Sequence, residues 1–275
     1  MNQFINFNGN LLDEANPVVK ASNRSLRYGD GLFESMRWEN DRIFLGDYHF
    51  ERLFQGLDIL QMERPPGFTA DYLFTQIREL CKKNGRETAR IRLNVFREES
   101  PALFPVNNRA QFIIEMADLP GSGREPLRLT VYPGEKKSTG ILSNIKTNNH
   151  LIYIMAAKYA QQNGFDDALI LNARNGICEA TSSNVFFISG RSVFTPPLTE
   201  GCVAGVMRRH LLQQLPLLGF TVQETPVSLE MVYEMDEVFL TNAIRGIQSV
   251  GRLGNKEYPK KTAVSQIVSF GQKAL

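Results

Sequence analysis

The segment that most constrains the fold of this 275-residue chain is a proline- and glycine-rich stretch near its middle. Residues 119–126 contain two prolines, two glycines and a serine without any apolar periodicity, which is typical of a linker. We therefore predict two α/β domains, at residues 1–118 and 127–275, joined by a linker at 119–126. A hydrophobic content of 43% is enough to build a core in each of them.

Apolar patterns predict both strands and helices on each side of this linker. Strands are predicted in the first domain at residues 4–7, 31–38, 42–45, 89–97 and 111–115, with helices that begin at an Asp47 N-cap and at Ala70. In the second domain, strands are predicted at residues 127–131, 167–171, 185–188, 192–195 and 237–241, with helices at 149–163 and from Gly205 to about Leu215. Pro216 should stop the last helix.

The charge pattern argues against several classes of partner. The net charge is +2, with 31 basic and 29 acidic residues, so neither nucleic acid nor a membrane surface is expected as a partner. Basic doublets such as Lys136-Lys137 are interpreted as solvated surface. Three distant cysteines form neither a disulfide framework nor a zinc spacing, so no metal is expected. With no signal-like N-terminus, a cytoplasmic location is expected.

Lys146 is the main candidate for chemistry, because of its position relative to an acidic residue downstream. It precedes an apolar-periodic run, and about thirty residues later Glu179 lies among small polar residues in a strand, turn and strand pattern. A lysine that condenses with an aldehyde, and a carboxylate that keeps a pyridine nitrogen protonated, are the two poles of a pyridoxal phosphate site. Each residue also has an ordinary interpretation, as a surface lysine and as a half-buried strand carboxylate.

Other segments suit a phosphate and a carboxylate. Gly205, Val206 and Met207 at a helix start offer backbone N–H groups to an anion, and Arg52 could clamp the same phosphate. A plain helix-start glycine and a solvated arginine are the alternatives. Arg92 and Arg97 lie in one strand on opposite faces, and either guanidinium fork suits a substrate carboxylate. An ion-paired edge strand is the alternative for both.

Seven segments in fixed order resemble those of the fold-type IV pyridoxal phosphate enzymes, the class IV aminotransferase family. They are residues 28–34, 47–53, 145–146, 179–186, 194–197, 205–208 and 236–242. The resemblance implies a D-amino acid aminotransferase-like fold, with a smaller N-terminal domain, a larger C-terminal pseudo-barrel domain, and a homodimer. It also implies that Lys146 carries the Schiff base, Glu179 pairs with the ring nitrogen and Arg52 binds the phosphate. Backbone groups of Val206, Met207, Asn242 and Ala243 would complete the phosphate site, and Phe33, Arg92 and Arg97 would be candidates for substrate binding.

Details of the same segments favour one branch of the family. Branched-chain aminotransferases usually carry a tyrosine five residues after the Schiff-base lysine, where this chain has Leu151. D-amino acid aminotransferases use a histidine near a substrate arginine, and no histidine lies between Arg97 and Arg109. The strand at residues 89–94 and the pair Thr241-Asn242 resemble 4-amino-4-deoxychorismate lyases. We therefore expect formation of 4-aminobenzoate and pyruvate, a step of folate biosynthesis. An aminotransferase is the alternative, and a non-enzymatic cofactor-binding protein is a remote one.

Overall fold

The computed structural model describes residues 3–100, 102–121, 126–259 and 261–273. The strands are β1 (Phe4–Phe7), β2 (Asn10–Asp13), β3 (Gly31–Glu39), β4 (Arg42–Ile43), β5 (Thr88–Arg97), β6 (Ala110–Ala117), β7 (Leu127–Val131), β8 (Asp167–Leu171), β9 (Ile177–Ala180), β10 (Asn184–Ser189), β11 (Ser192–Thr195), β12 (Thr221–Glu224), β13 (Glu237–Asn242), β14 (Gly246–Leu253) and β15 (Lys256–Glu257). The helices are α1 (Arg24–Tyr28), α2 (Gly46–Ile59), α3 (Ala70–Lys83), α4 (Leu151–Gln162), α5 (Val206–Gln214), α6 (Leu229–Tyr233) and α7 (Thr262–Lys273). Short 3₁₀ turns lie at Ile141–Ser143, Leu198–Glu200 and Leu215–Leu218.

The chain forms two compact units. The first comprises Met1–Pro120 together with Ile145–Asn149, and the second comprises Gly121–Asn144 and His150–Leu275. Part of the predicted linker lies outside the described residues. The return of Ile145–Asn149 to the first unit is absent from the sequence prediction, because nothing in five mostly polar residues marks which unit they join.

The first unit is built on a six-stranded sheet with the order β2-β1-β6-β5-β3-β4. Alternate residues of β5, including Ala89, Ile91 and Leu93, are at most 1% exposed, as expected for one buried face of a strand. That face belongs to one hydrophobic cluster with apolar residues of α2 and α3, such as Leu57 and Ile77. The opposite face of β3 and β5 carries Phe33 together with polar and charged residues such as Ser35, Arg90 and Arg92.

The second unit is built on a larger sheet with the order β12-β11-β10-β13-β14-β7-β8-β9, with β15 paired to β14. Its central strands are buried on both faces. In β10, Val185 and Phe187 pack into one hydrophobic cluster, whereas Phe186 and Ile188 pack into another with residues of α5 and α7. Both-sided burial explains why β10 is a continuous apolar run in the sequence.

The structure corrects one detail of the predicted helices. Asp47 is not the N-cap of α2, because the helix begins at Gly46 after Leu45, which adopts a left-handed conformation with φ of 54°. Asp47 lies in the first turn instead, where a carboxylate still interacts favourably with the helix dipole. The helix predicted from Gly205 to about Leu215 is confirmed. Gly205 is the N-cap of α5, which ends at Gln214, and the chain continues as a 3₁₀ turn that contains Pro216. No helix in the described part of the chain has the length and apolar character to cross a bilayer.

Candidate active site

The backbone around Lys146 is fixed to the start of β3 in the first unit. The N–H of Phe33 donates to the carbonyl of Lys146 at 2.9 Å, and the N–H of Asn148 donates to the carbonyl of Gly31 at 2.9 Å. Ile145, just before the lysine, is buried in the hydrophobic cluster of this unit. Backbone hydrogen bonds to β3 and the burial of the preceding Ile145 therefore fix the position of Lys146.

Two cationic side chains lie over the ring of Phe33. The Nζ atom of Lys146 is 4.3 Å from the ring centroid, and the guanidinium of Arg92 is 3.9 Å from it. Strand register explains this, because Arg92 pairs with Ser35 and is therefore a diagonal neighbour of Phe33 on the same face. Glu115 forms a 3.7 Å ion pair with Arg92, while burial lowers the pKa of the guanidinium. Three predicted site residues thus meet in this part of the first unit.

Arg97 lies on the opposite face of β5 and has a different environment. Its side chain is buried, and the guanidinium donates to Asp30 Oδ2 at 3.0 Å and to Asn108 Oδ1 at 2.5 Å. It also donates to the carbonyls of Leu60 and Gln61, which follow the C-terminus of α2, at 2.7 and 3.2 Å. A cation at this position satisfies orphan carbonyls of the helix end. This geometry makes Arg97 the weaker of the two predicted carboxylate ligands.

Arg52 is anchored by a buried carboxylate that the sequence analysis did not single out. Its Nε donates to Glu34 Oε1 at 2.8 Å, and its Nη2 donates to Glu34 Oε2 at 2.5 Å. His49 Nδ1 lies 2.6 Å from Glu34 Oε2. Burial alone would raise the pKa of Glu34, but the charge of Arg52 and the contacts with His49 hold it at about 2. An ionised carboxylate only accepts hydrogen bonds, so His49 donates from Nδ1, while burial lowers the pKa of this histidine.

Glu179 in the second unit is 3% exposed and is surrounded by donors. Its Oε1 accepts from the ammonium group of Lys137 and from the hydroxyl of Tyr153, the latter at 2.8 Å. Its Oε2 accepts from the N–H of Val203 at 3.0 Å and from the amide of Asn184 at 3.4 Å. These four donors satisfy polar atoms that would otherwise be costly to bury.

The start of α5 lies close to the same asparagine. The first N–H groups of a helix have no intrahelical acceptor, and in α5 they include those of Val206 and Met207. Gly205 is the N-cap and has no side chain that could accept from them. A Cβ atom at Gly205 would lie 1.8 Å from Asn184 Oδ1. Glycine is therefore required for the close approach of this helix start to Asn184.

The end of β13 contributes a buried hydroxyl and a shaped loop. Thr241 is 2% exposed, and its hydroxyl has no hydrogen-bond partner among the described residues. It pairs across the sheet with Asn184. The side chain of Asn242 donates to Ser183 Oγ at 3.0 Å and accepts from backbone N–H groups two and three residues later. The Asn242 side chain thus shapes the loop that begins at the buried residue Ala243.

Sequence reasoning missed several side chains that hold the predicted residues in place. Lys137, interpreted as solvated surface together with Lys136, is 7% exposed and contacts Glu179, whereas Lys136 is exposed. Tyr153 and the pair Glu34 and His49 were also overlooked as site residues. The only signal for Glu34 and His49 was their place inside segments that carry the family resemblance.

Comparison with protein families identifies the chain's relatives. The model of the family described as "Amino-transferase class IV" matches residues 31–253. A putative branched-chain-amino-acid aminotransferase of Methanocaldococcus jannaschii is 27% identical over 90% of this chain and 86% of the relative. An aminodeoxychorismate lyase of Vibrio harveyi is 28% identical over 87% and 89% of the two chains. A D-alanine aminotransferase of Bacillus licheniformis is 26% identical over 86% and 83%.

Solved structures support the same assignment. The branched-chain aminotransferase of Thermoproteus uzoniensis, crystallised with norvaline, matches with a TM-score of 0.91 and 26% identity over 99% of this chain and 94% of the other. A putative 4-amino-4-deoxychorismate lyase of Legionella pneumophila matches with a TM-score of 0.86 and 25% identity over 94% and 96%. The predicted fold class is therefore confirmed, as is the expectation of an enzyme with pyridoxal phosphate as its cofactor. The chain belongs to the class IV aminotransferase family.

Proposed function

We propose that pyridoxal phosphate is held by the residues predicted from the sequence. Lys146 would bind its aldehyde, Glu179 its ring nitrogen, and Arg52 its phosphate together with the start of α5 and the loop after β13. When bound, the cofactor supplies an electron sink for charge that develops on the substrate carbon. The remaining chemistry belongs to the protein's own side chains.

Three features of the second unit fit such a cofactor. The Oε2 atom of Glu179 has one donor at 3.4 Å, near the limit of hydrogen bonding, and can accept a better one. The start of α5 offers an anion backbone N–H groups that have no intrahelical acceptor. The buried hydroxyl of Thr241 has no partner among the described residues and suits a polar ligand atom.

Each side chain has a distinct role in the proposed reaction. Lys146, once displaced by the substrate amine, would take the proton from the carbon that bears this amine. Glu179 would hold the proton of the ring nitrogen throughout. Glu34 fixes the fork of Arg52, so that the guanidinium is oriented before the phosphate arrives. Arg92, over the ring of Phe33, would orient a substrate carboxylate.

The cationic strand face beside Lys146 is the observation that favours the lyase. Arg92 shares this face with Arg90, and Arg37 pairs with Arg90 across the strands. 4-Amino-4-deoxychorismate carries two carboxylates, which suit such a face better than the aliphatic side chain of a branched-chain amino acid. Glu115, which pairs with Arg92, and Glu39, which pairs with Arg37, offset part of the positive charge. The product pair would be 4-aminobenzoate and pyruvate, a step of folate biosynthesis.

An aminotransferase remains the second candidate. Its support is the similarity to the relatives and solved structures named as branched-chain aminotransferases. Against it stands residue 151, which is a leucine with 72% of its surface exposed, while the nearby hydroxyl of Tyr153 is committed to Glu179. In a transamination, Lys146 would take the same proton from the substrate carbon, and no aromatic product would form.

A product assay tests the choice. The purified holoenzyme is mixed with 4-amino-4-deoxychorismate, and 4-aminobenzoate is measured by fluorescence, alongside transamination of leucine and D-alanine with 2-oxoglutarate. We expect many turnovers of the first reaction and little of the others. Rapid transamination without 4-aminobenzoate would reject the lyase and leave the aminotransferase.

We extend the proposal to a homodimer in the cytoplasm. Leu103, Phe104 and Val106 in the loop between β5 and β6 are 64%, 82% and 80% exposed, which is unusual for apolar side chains unless they meet a partner. The cysteines in the described residues are buried free thiols, as expected in a reducing compartment. Light scattering of the purified protein should give twice the mass of one chain.

A further inference from the structure

We propose that Lys137 and Tyr153 are positioning residues that occupy one oxygen of Glu179 and keep the other available for the cofactor ring nitrogen. The inference rests on the proposed role of Glu179. It adds two residues that the sequence analysis did not assign to the site.

The two oxygens of Glu179 have unequal environments. Oε1 accepts from the ammonium group of Lys137 and from the hydroxyl of Tyr153 at 2.8 Å, which together fill the two acceptor positions of that oxygen. Oε2 accepts from Val203 N–H at 3.0 Å, and its second donor, the amide of Asn184, lies at 3.4 Å. A ring N–H would therefore meet the carboxylate at Oε2, where the existing contact is weakest.

Lys137 is held in place from several directions. Its backbone N–H donates to the carbonyl of Leu171 at 2.9 Å, which fixes the residue beside the end of β8. Its ammonium group also donates to the carbonyl of Ser143 at 3.2 Å and lies 5.2 Å from the ring centroid of Tyr153. With 7% exposure, this cation is buried in the site and is not a surface charge.

The buried ammonium group has a consequence for cofactor binding. It offsets the charge of Glu179 before any cofactor arrives, so the carboxylate is ready to accept from a protonated ring. Without the ammonium group, a buried carboxylate holds its charge at greater cost and takes up a proton instead. Binding of the protonated ring would then release that proton, and affinity would fall as the pH is lowered.

The experiment compares four variants with the unaltered protein. Lys137→Met removes the cation, Lys137→Arg keeps a cation, and Tyr153→Phe removes one neutral donor. Lys136→Met is the matched control, because this neighbouring lysine is exposed. The Kd of pyridoxal phosphate is measured by absorbance titration of the apoproteins at pH 6, 7 and 8, after circular dichroism confirms that each is folded. Each Kd is expressed relative to that of the unaltered protein at the same pH, so the pH dependence of the bond to Lys146 cancels.

The expected result is a pH-dependent loss for one variant only. The relative Kd of Lys137→Met should rise as the pH falls, by up to about tenfold per pH unit, the limit for one released proton. Lys137→Arg should restore a flat profile, Tyr153→Phe should raise the Kd about threefold at every pH, and Lys136→Met should change nothing. A flat, unchanged profile in both Lys137→Met and Tyr153→Phe would overturn the proposal.

A fifth variant separates this proposal from the proposed role of Glu179. Glu179→Gln keeps an oxygen for Lys137 and Tyr153 but removes the charge that pairs with the ring nitrogen. If Glu179→Gln binds the cofactor with unchanged affinity and absorbance spectrum, the role of Glu179 itself is wrong. If Glu179→Gln alters both while Lys137→Met and Tyr153→Phe do not, only the positioning role of these two residues fails.

Discussion

Two buried glutamates, one in each unit, show how the same side chain acquires different roles from its donors. Glu34 is 1% exposed and Glu179 is 3% exposed. Glu34 is bonded by the fork of Arg52 and by His49, so both of its oxygens serve to orient other protein groups. Glu179 is bonded by a single cation and three neutral donors, one of them at the long distance of 3.4 Å.

Burial alone therefore does not identify a reacting carboxylate. Both residues would count as candidates by their exposure alone. What separates them is the strength of their contacts: Glu34 is bonded to a guanidinium and an imidazole at 2.5 to 2.8 Å, whereas Glu179 has one weak amide donor at 3.4 Å that a better donor could replace. A positioning carboxylate should affect how tightly ligands bind, whereas a carboxylate that pairs with the ring should affect turnover itself.

Amide variants of the two glutamates test this contrast with the strongest effects. Glu34→Gln should lower the free energy of unfolding by about 3–5 kcal/mol, the usual result of breaking a buried ion pair. It should also weaken cofactor binding while leaving kcat within a few-fold at saturating cofactor. Glu179→Gln should lower kcat by roughly a hundred- to thousandfold under the same saturation, as for loss of one preorganised electrostatic partner. Equal losses of kcat in the two saturated variants would remove the distinction.

Acid unfolding tests the charge of Glu34 separately. Its pKa is held at about 2 against an ordinary value of 4.5, so the folded state gains stability wherever this carboxylate is ionised. That stability is present above about pH 5 and is lost as the pH falls towards 2, and it amounts to about 3 kcal/mol. Urea unfolding between pH 5 and pH 3 should show a steeper loss for the unaltered protein than for Glu34→Gln. Parallel profiles would mean that the charge of Glu34 contributes nothing.

The two arginines of β5 extend the comparison to opposite faces of one strand. Arg97→Gln should lower the free energy of unfolding by about 2 kcal/mol, because it leaves buried carbonyls and Asp30 with fewer donors. Arg92→Gln should leave stability nearly unchanged and raise the KM for a carboxylate substrate by about tenfold. Urea unfolding and steady-state kinetics of both variants measure this. The reverse pattern would make Arg97 the substrate ligand.

Thr241 should give the weakest response. Replacing it with valine removes a hydroxyl that is buried without a partner among the described residues, so the apoprotein should be equally stable or slightly more stable. Cofactor affinity should fall about threefold if the hydroxyl contacts the bound group. Thermal unfolding measures the stability of the apoprotein, and absorbance titration measures the cofactor affinity. A destabilised apoprotein with unchanged affinity would show that Thr241 is only structural.

Much of the fold could be predicted because local patterns and tertiary packing agree. The helix predicted to begin at Ala70 and the strands at 127–131, 167–171 and 192–195 occur with those bounds, since their apolar patterns match the surfaces they bury. The strand β14 was missed, because Gln248, Ser249 and Gly251 interrupt its apolar pattern. It forms because β13 and β7 pair with it on both sides, a support that no local window contains.

The candidate site likewise contains residues that the sequence could indicate and residues that only the fold brings together. Lys146 and Glu179 lie in segments that occur in the family's order and whose residue types suit the chemistry, so the sequence was enough to propose them. Lys137 and Tyr153 could not be proposed, because they lie 42 and 26 residues from Glu179 and meet it only through the fold. Arg92 and Arg97 were equal candidates in the sequence, and only their contacts in the fold separate them. Arg97 is bonded to Asp30 and to a helix end, whereas Arg92 lies over the ring of Phe33.

The proposed chemistry assigns different roles to two lysines. Lys146 bonds to the cofactor aldehyde, and Lys137 only positions Glu179. Sodium borohydride reduction of the holoenzyme, followed by proteolysis and mass spectrometry, distinguishes the two. We expect the phosphopyridoxyl mass on the peptide that contains Lys146, and we expect Lys137→Met to be labelled there as well. Label on Lys137, or no label on Lys146, would contradict this assignment.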